Sequence, residues 1–441
     1  MNHSRSLAVT LVLCAAGRIH AQSGDSVQVL SLGDAARLAA RQSGSSVAAF
    51  YRAEQARGRA LESRSALLPH ASASFSDGNR TFNTASFGLP LPGFDPNGVV
   101  IGPVRTIDAR GRVVANLIDP ASFGRYRTAQ AAASGADADA AQVTNQAAAI
   151  ATATYVRTLR AEAQVSARAA DSSLATELLG IAQRQLQVGV GVALDVTRAR
   201  AQLSSTHAQL IAARNERDRA RLDLSRSLGL PPDAVVVLRD SLTPGAAAPT
   251  PSESDALAAA MKDRADLRAA VAATETARRA LRAARAEHLP TLGVFGDDGT
   301  TSNSYSHLLH TYTYGLQLTL PVFEGFRTSA RVQQQIAALR EAETRRRDVE
   351  LQVVTDVRGA LLDVSASQEQ LAAARERLAL GEQEVAQSRE RFRAGVAGNA
   401  DVIIAQLNLD AARSQHIDAL ASLGMARVSL ARAQGHLLEL P

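Results

Sequence analysis

Residues 185–196 read QLQVGVGVALDV, and residues 391–402 read RFRAGVAGNADV. Each places a Gly-Val pair shortly before an Asp-Val pair: Gly189-Val190 before Asp195-Val196, and Gly395-Val396 before Asp401-Val402. The two stretches lie 206 residues apart. Laid over each other without gaps, residues 185–229 and 391–435 agree at 14 of 45 positions, among them Ala199/Ala405, Leu203/Leu409, Ala220/Ala426 and Gly229/Gly435. A shared bias toward Ala and Arg produces some matches. It does not produce paired glycines and paired Asp-Val steps in one register, so the chain reads as two copies of one plan.

The segments around the second stretch have a helical period. Val402, Leu409, His416, Leu423 and Leu430 recur every seven residues, with Ala405, Ala412, Ala419, Ala426 and Ala433 between them. Upstream, Val357, Val364, Leu371, Leu378, Val385 and Phe392 form one row, and Ala360, Ser367, Ala374, Gly381 and Ser388 the other. A sustained seven-residue repeat specifies coiled helices. Small residues in alternate rows let two helices approach closely. The connection AGVAGNA is short, so the helices are antiparallel neighbours and the repeated turn is the tip of a hairpin. At about 1.5 Å per residue, Val357 to Phe392 alone spans roughly 50 Å. Residues 140–229 form the other hairpin.

A different period governs four other segments. YTYGLQLTLP (Tyr312–Pro321) alternates Tyr312, Tyr314, Leu316, Leu318 and Leu320 with Thr313, Gly315, Gln317 and Thr319, which predicts a strand with one apolar face. PTLGVFG (Pro290–Gly296) is its partner across the polar loop DDGTTSNSYSHLLH. HASASFS (His70–Ser76) and ARGRVVANLI (Ala109–Ile118) are the matching pair in the first copy. The stretch 230–255, rich in Pro and Ala, reads as a linker.

Composition narrows the class. The chain has 441 residues, 4% aromatics and no Trp, so thin helix-to-helix seams are expected rather than one large core. The net charge is +5, Lys occurs once (Lys262), and Arg is interspersed with Asp and Glu. That pattern describes solvated helix faces, and nucleic acid is not an expected partner. Arg5 followed by SLAVTLVLCAA (Ser6–Ala16) reads as a signal peptide, residues 1–21, with cleavage after Ala21 and Ala16 as the second candidate. The only cysteine, Cys14, lies inside it, and Leu13 before it argues against lipidation. No later apolar run is long enough for a transmembrane helix. Strands can cross a bilayer only in a closed barrel, and four cannot close one. Three copies of four strands would give twelve, together with a hollow ring of coiled helices.

These features resemble the TolC-like outer-membrane efflux protein family. The resemblance is carried by LTLPVFEGFRTSARV (Leu318–Val332), a strand-to-helix crossing, and its echo ANLIDPASFGRYR (Ala115–Arg127). It is carried also by the two tips, QLQVGVGVALDVTRARAQL (Gln185–Leu203) and RFRAGVAGNADVIIAQLNLDAAR (Arg391–Arg413). It implies a mainly α chain with a small β part: a coiled-coil α-barrel below a transmembrane β-barrel, twelve-stranded in a homotrimer. It implies one efflux repeat over 22–229 and a second over 256–441. The implied role is a passive outer-membrane channel with a long periplasmic extension, docked to a periplasmic adaptor and an inner-membrane transporter in efflux or type I secretion. Family members often carry acidic rings at a periplasmic gate just after the second tip. Asp401 matches one such position, and Ile404 stands where a second acid is sometimes found. Phe392 replaces a frequent Tyr, so the resemblance implies a gate held mainly by packing, with Asp195 in the equivalent place of the first copy.

The residues also have plainer readings. Asp195 and Asp401 each follow a glycine turn, where an N-cap is worth about 1 kcal/mol. Three copies of Asp401 around an axis would in addition repel one another and attract cations. Gly189, Val190, Gly191 and Val192, with Gly395, Val396, Ala397 and Gly398, are tight turns. As six exposed tips per trimer they would form an apolar crown for the adaptor. His307 and His310 near Asp297 and Asp298 lack metal-ligand spacing and read as a solvated loop. His416 reads as a packed core histidine or as facing a lumen, and Arg345–Arg347 as a solvated helix face. No nucleophile elbow, phosphate loop or CxxC occurs, so neither an enzyme nor a cofactor is expected. The rival reading is a periplasmic coiled-coil scaffold that does not span a membrane.

Overall fold

A computed structural model describes residues 28–87, 98–243, 250–394, 396 and 398–440. The expected signal segment, and Gly395 and Ala397 of the second tip, lie outside the described residues. In chain order the elements are β1 (Gln28–Leu30), α1 (Leu32–Gln42), α2 (Gly44–Ser65), β2 (His70–Asn83), β3 (Val100–Ile118), α3 (Pro120–Gln187) and α4 (Ala193–Leu228). They continue with β4 (Val236–Leu238), α5 (Glu253–Asp263), α6 (Ala265–Ala286), β5 (Thr291–Ser302), β6 (Leu309–Thr319), α7 (Arg327–Arg393) and α8 (Asn399–Gln434). The chain is mainly helical, and one sequence of elements occurs twice. α1 and α5 have 11 residues each, α2 and α6 have 22, α4 and α8 have 36, and α3 and α7 have 68 and 67. Among the described residues no helix is long and apolar enough to cross a membrane.

Local chemistry sets the helix ends. Ser31 and Asp34 form a capping box on α1, and Ser252 caps α5. Asp119 caps α3, accepting from Ser122 N at 2.9 Å, with Pro120 at the first helical position. α4 ends on Gly229 (φ 74°) and α8 on Gly435 (φ 86°), both left-handed. A Cβ on Gly229 would come within 2.5 Å of the Gln42 carbonyl oxygen, and one on Gly435 within 2.8 Å of the Asp263 carbonyl carbon. Gln42 and Asp263 are the last residues of α1 and α5. The same backbone joint is therefore built in both halves, and both joints exclude a side chain.

The long helices pair as antiparallel hairpins, α3 with α4 and α7 with α8. On α7 the rows Val357, Val364, Leu371, Val385, Phe392 and Ala360, Ser367, Ala374, Gly381 are buried. On α8 so are Val402, Leu409, Leu423, Leu430 and all five alanines of the other row. Leu378, Ser388 and His416 are half-buried. At Gly381 a Cβ would sit 3.5 Å from Leu409 Cα, so the helices meet almost backbone to backbone. In the first hairpin Tyr155 is fully buried, its hydroxyl 2.9 Å from the Leu30 carbonyl and 3.0 Å from Asp240 Oδ2. These bonds anchor a small parallel sheet, β1 with β4, in register Gln28↔Val236. The expected linker 230–255 thus contains β4 and the start of α5. Three-residue strands are too short to reveal a period.

The main sheet is antiparallel, in the order β2-β3-β5-β6. Its strands extend further than the alternation predicts. Pairing continues through Asp298↔Tyr312 to Thr301↔Leu309, which reduces the expected loop to 303–308. Polar residues do not end a strand when one face is meant for water. Across the sheet, Tyr314, Leu316 and Leu318 lie opposite Gly296, Val294 and Leu292, which lie opposite Val113, Ala115 and Ile118. Tyr314 is 79% exposed and Leu318 71%, so nothing among the described residues covers this apolar face. The other face carries Ser72, Ser74, Arg112, Asn116, Asp297 and Gln317. Among the described residues, β2 and β6 are the sheet edges.

Gly229→Ala and Gly435→Ala should each destabilise the protein by about 1–3 kcal/mol, through positive φ and the blocked joint. Gly58→Ala, mid-helix with nothing near its Cβ position, should instead stabilise by up to about 1 kcal/mol. Denaturant unfolding of the three variants checks this, and equal effects would refute the joint.

Candidate gate and docking tips

The first tip closes through its backbone. α3 runs out at Gln187, and the Gln185 carbonyl then accepts from Val190 N at 3.1 Å and Gly191 N at 2.9 Å. Gly189 supplies the left-handed residue, φ 81°. At Gly191 a Cβ would meet the Gln185 Cβ at 2.9 Å. The two glycines therefore serve different ends, one conformational and one steric. The valines do not pack: Val190 is 75% exposed, and Val188 and Val192 are exposed as well. At the second tip Val396 N donates to the Arg391 carbonyl at 3.0 Å, Val396 is exposed, and exposed Gly398 begins α8.

Neither candidate aspartate is an N-cap. The caps are Val192 and Gly398, both extended and neither making a side-chain bond. Asp195 and Asp401 follow at the third helical position, where a carboxylate favours the positive end of the helix dipole. Asp195 is half-buried, and its Oδ1 lies 4.0 Å from Arg198 Nη1. Asp401 and Ile404 are exposed on α8, away from the packed seam. The structure joins Asp195 to Phe392 in one interlocking region and leaves Asp401 and Ile404 on the surface.

That region holds the two hairpins together. Phe392 is 2% exposed, clustered with Leu178, Ile181, Ala182, Ala199 and Val402. Polar bonds accompany this packing. Gln185 Nε2 donates to the Phe392 carbonyl at 2.8 Å, and Asn399 Nδ2 to the Asp195 carbonyl at 2.8 Å. Each hairpin end thus grips the backbone of the other. The Phe392 carbonyl lies in the last turn of α7, where acceptors lack helical partners. Glu177 adds contacts to Arg389 at 2.7 Å and Arg393 at 2.8 Å, which are solvent-screened and worth little singly.

The remaining candidates lie elsewhere. His310 Nε2 is 2.5 Å from Asp298 Oδ1 across the β5–β6 hairpin. Among the described residues no group of three or more His, Cys, Asp or Glu could hold a metal ion. His416 is half-buried, and burial together with the charge of Arg375 holds its pKa below the ordinary value. Arg345 and Arg346 pair along α7 with Glu341 and Glu350.

Comparison with known proteins finds chains similar to this one. Residues 256–436 match the family model described as outer membrane efflux protein. The match lies in the second half of the chain. The alkaline protease secretion protein AprF of Pseudomonas aeruginosa is 26% identical over 307 residues, 68% of this chain and 63% of AprF. CyaE of Bordetella pertussis is 26% identical over 275 residues, 60% of this chain and 57% of CyaE. The chain spans less than two thirds of the length of these curated relatives. The solved outer-membrane channel OprN shares the fold, with a TM-score of 0.77 over 92% of this chain and 90% of its own, at 20% identity.

In this chain the residues that lock the tips are those in which the two copies differ. In the repeat register Gln185 stands opposite Arg391, and Asn399 opposite Ala193. Reading the copies for agreement finds the turns. Reading them for disagreement would have found the lock. Gln185→Ala combined with Asn399→Ala should remove two bonds worth about 1 kcal/mol each and speed hydrogen exchange at residues 188–192 by roughly tenfold, leaving α5 and α6 unchanged. Unchanged exchange at the tip would mean that packing alone holds it.

Proposed function

We propose that three copies of this chain form a passive exit duct through the outer membrane, serving tripartite efflux or type I secretion. The observation that carries the reading is the four-stranded sheet, which among the described residues has two unpaired edges and an uncovered apolar face. Such a sheet is tolerable in lipid only inside a closed barrel. Three sheets supply twelve strands, enough to close one, with the apolar face toward lipid and the polar face toward a lumen. The efflux-family match and the OprN fold support the same reading. The long hairpins then extend below the barrel as a periplasmic tube. The chain divides into a signal segment 1–21, efflux repeats 22–229 and 256–441, and a connection 230–255.

In this reading the tips face a periplasmic adaptor, behind which stands an inner-membrane transporter. Gly189–Val192 and Gly395–Gly398 form the crown, presenting Val190 and Val396 as apolar contacts with few rotamers to order. Asp401 forms a three-fold acidic ring that favours cations, with Ile404 one turn further along α8. Phe392 and Asp195 serve the gate as packing wedge and bonded backbone rather than as lining. Cargo moves by diffusion, and no cofactor or catalysis is required. A soluble periplasmic scaffold would leave the apolar sheet face without a partner.

The detergent-extracted protein should be a trimer, recovered from carbonate-resistant outer membranes and forming ion channels in planar bilayers. Asp401→Asn should weaken cation preference several-fold, and Asp195→Asn should do less. A monodisperse monomer with its β-structure intact would overturn the duct.

Val396→Glu should leave trimer and membrane level unchanged while abolishing efflux and adaptor cross-linking, because a charge on the crown must be desolvated on docking. Val190→Glu should act the same way, with a smaller effect because the tips are not identical. Full efflux in both variants would mean that the adaptor docks elsewhere.

A further inference from the structure

Above the tips, α3 meets α8 at a buried cluster of charged residues. α3 contributes Arg168 and Asp171. α8 contributes Gln406, Asp410 and Arg413, spaced to share one face, with Ser414 beside them. Both carboxylates are out of water: the Asp171 side chain is 1% exposed and Asp410 5%. The cations are not shared evenly. Arg413 Nη1 lies 2.6 Å from Asp171 Oδ1, and Arg168 Nη1 3.4 Å from Asp171 Oδ2. Arg168 Nη2 donates to Ser414 Oγ at 2.8 Å, and Gln406 Nε2 to the Asp171 carbonyl at 3.2 Å. These donors are spent on Asp171 and Ser414. Three acceptors remain buried without a partner among the described residues: Asp410 Oδ1, Asp410 Oδ2 and Gln406 Oε1.

An ionised Asp410 would be an unpaired charge beside a second carboxylate, in an interface with little water. One proton removes the conflict. A neutral carboxyl donates as well as accepts, and its O–H has the Asp171 carboxylate across the interface as acceptor. A metal ion suits the place less well, because two guanidinium groups already border it. We propose that Asp171 and Asp410 form a buried proton-binding site that clasps the two hairpins together, Asp171 ionised between Arg168 and Arg413 and Asp410 carrying the proton.

The electrostatics agree with the geometry. Burial, and then the charge of Asp171, raise the pKa of Asp410 from 3.8 to about 7, against the smaller opposing pull of Arg168 and Arg413. On α7 the neighbouring charges are engaged elsewhere, Glu384 with Asn408 and Arg377 with Gln415. On α4 buried Thr206 is uncharged and His207 is exposed. With the hairpins apart Asp410 would titrate at its ordinary value, so the packed state binds the proton more tightly than the separated state. Packing is therefore favoured on the acid side and weakens as pH rises through about 7. The titration stands independently of cargo. Its consequence, a tube that loosens near its tips above neutrality, rests on the proposed duct.

Infrared spectroscopy of the full-length protein from about pH 5 to about pH 9 tests the site, since that range brackets the titration. A protonated-carboxyl C=O band should disappear with a midpoint near neutrality. It should be absent in Asp410→Asn, and in Asp171→Asn its midpoint should move to acid pH, because Arg168 and Arg413 are then free to pair with Asp410. Spin labels at the exposed positions Gln209 of α4 and Glu376 of α7, introduced as Gln209→Cys and Glu376→Cys, should move apart as the band disappears and keep one distance at every pH in Asp410→Asn. No titrating band in this range, or a band that survives Asp410→Asn, overturns the site. A titrating band with an unchanged label distance overturns the clasp. The wild-type band decides the first question even where a variant fails to assemble.

Discussion

The hairpins depend on a seam one small residue deep. Ala405, Ala412, Ala419, Ala426 and Ala433 face α7 across a gap that Gly381 narrows to backbone contact. A seam of this kind buries little apolar area per residue, and it cannot rely on large side chains of which the chain has few. Stability is therefore spread along two pairs of helices, in small hydrophobic clusters rather than one interior. In such a structure a single buried polar contact counts for more than it would beside a deep core. The Tyr155 hydroxyl under the β1–β4 sheet, the amides of Gln185 and Asn399, and the Asp171–Asp410 pair are such contacts, each joining elements distant in sequence.

The long-range architecture was legible because its signals are periodic. Seven-residue rows predicted the buried faces of α7 and α8 well, and strict alternation located β6. The short β1–β4 sheet was not legible, since three residues carry no period and its partners lie on either side of the first half. Strand ends were read short because Asp297, Asp298 and the threonines of β5 look like a loop to a reading that expects apolar residues. They belong to a sheet with one polar face. The capping role of Asp195 and Asp401 was misread by one helical turn. Val192 and Gly398 start their helices through extended backbone, which leaves no side-chain signature.

The site was legible only where the copies repeat. The glycines and valines of the tips stand out by agreement. The interlock does not, because Gln185, Asn399 and Glu177 act between hairpins, and intervals of 200 residues carry no spacing rule. The same holds for Asp171 and Asp410, which are ordinary heptad-surface residues until α3 and α8 cross. Side chains that bond elements distant in sequence are the class that single-sequence reasoning misses, and here they hold the two hairpins to each other.

The equality of the long helices has a mechanical meaning. α4 and α8 have 36 residues each, and α3 and α7 differ by one, while β3 has 19 residues and β6 only 11. One residue added to a helix lifts its end by about 1.5 Å and swings it by about 100°. An insertion in one long helix would tilt the rim made by the two tips and rotate its valines out of line, whereas the strands tolerate unequal lengths because among the described residues their far ends meet nothing that must stay level. The hairpins behave as matched legs of a stand, and their lengths are coupled although they share no residue.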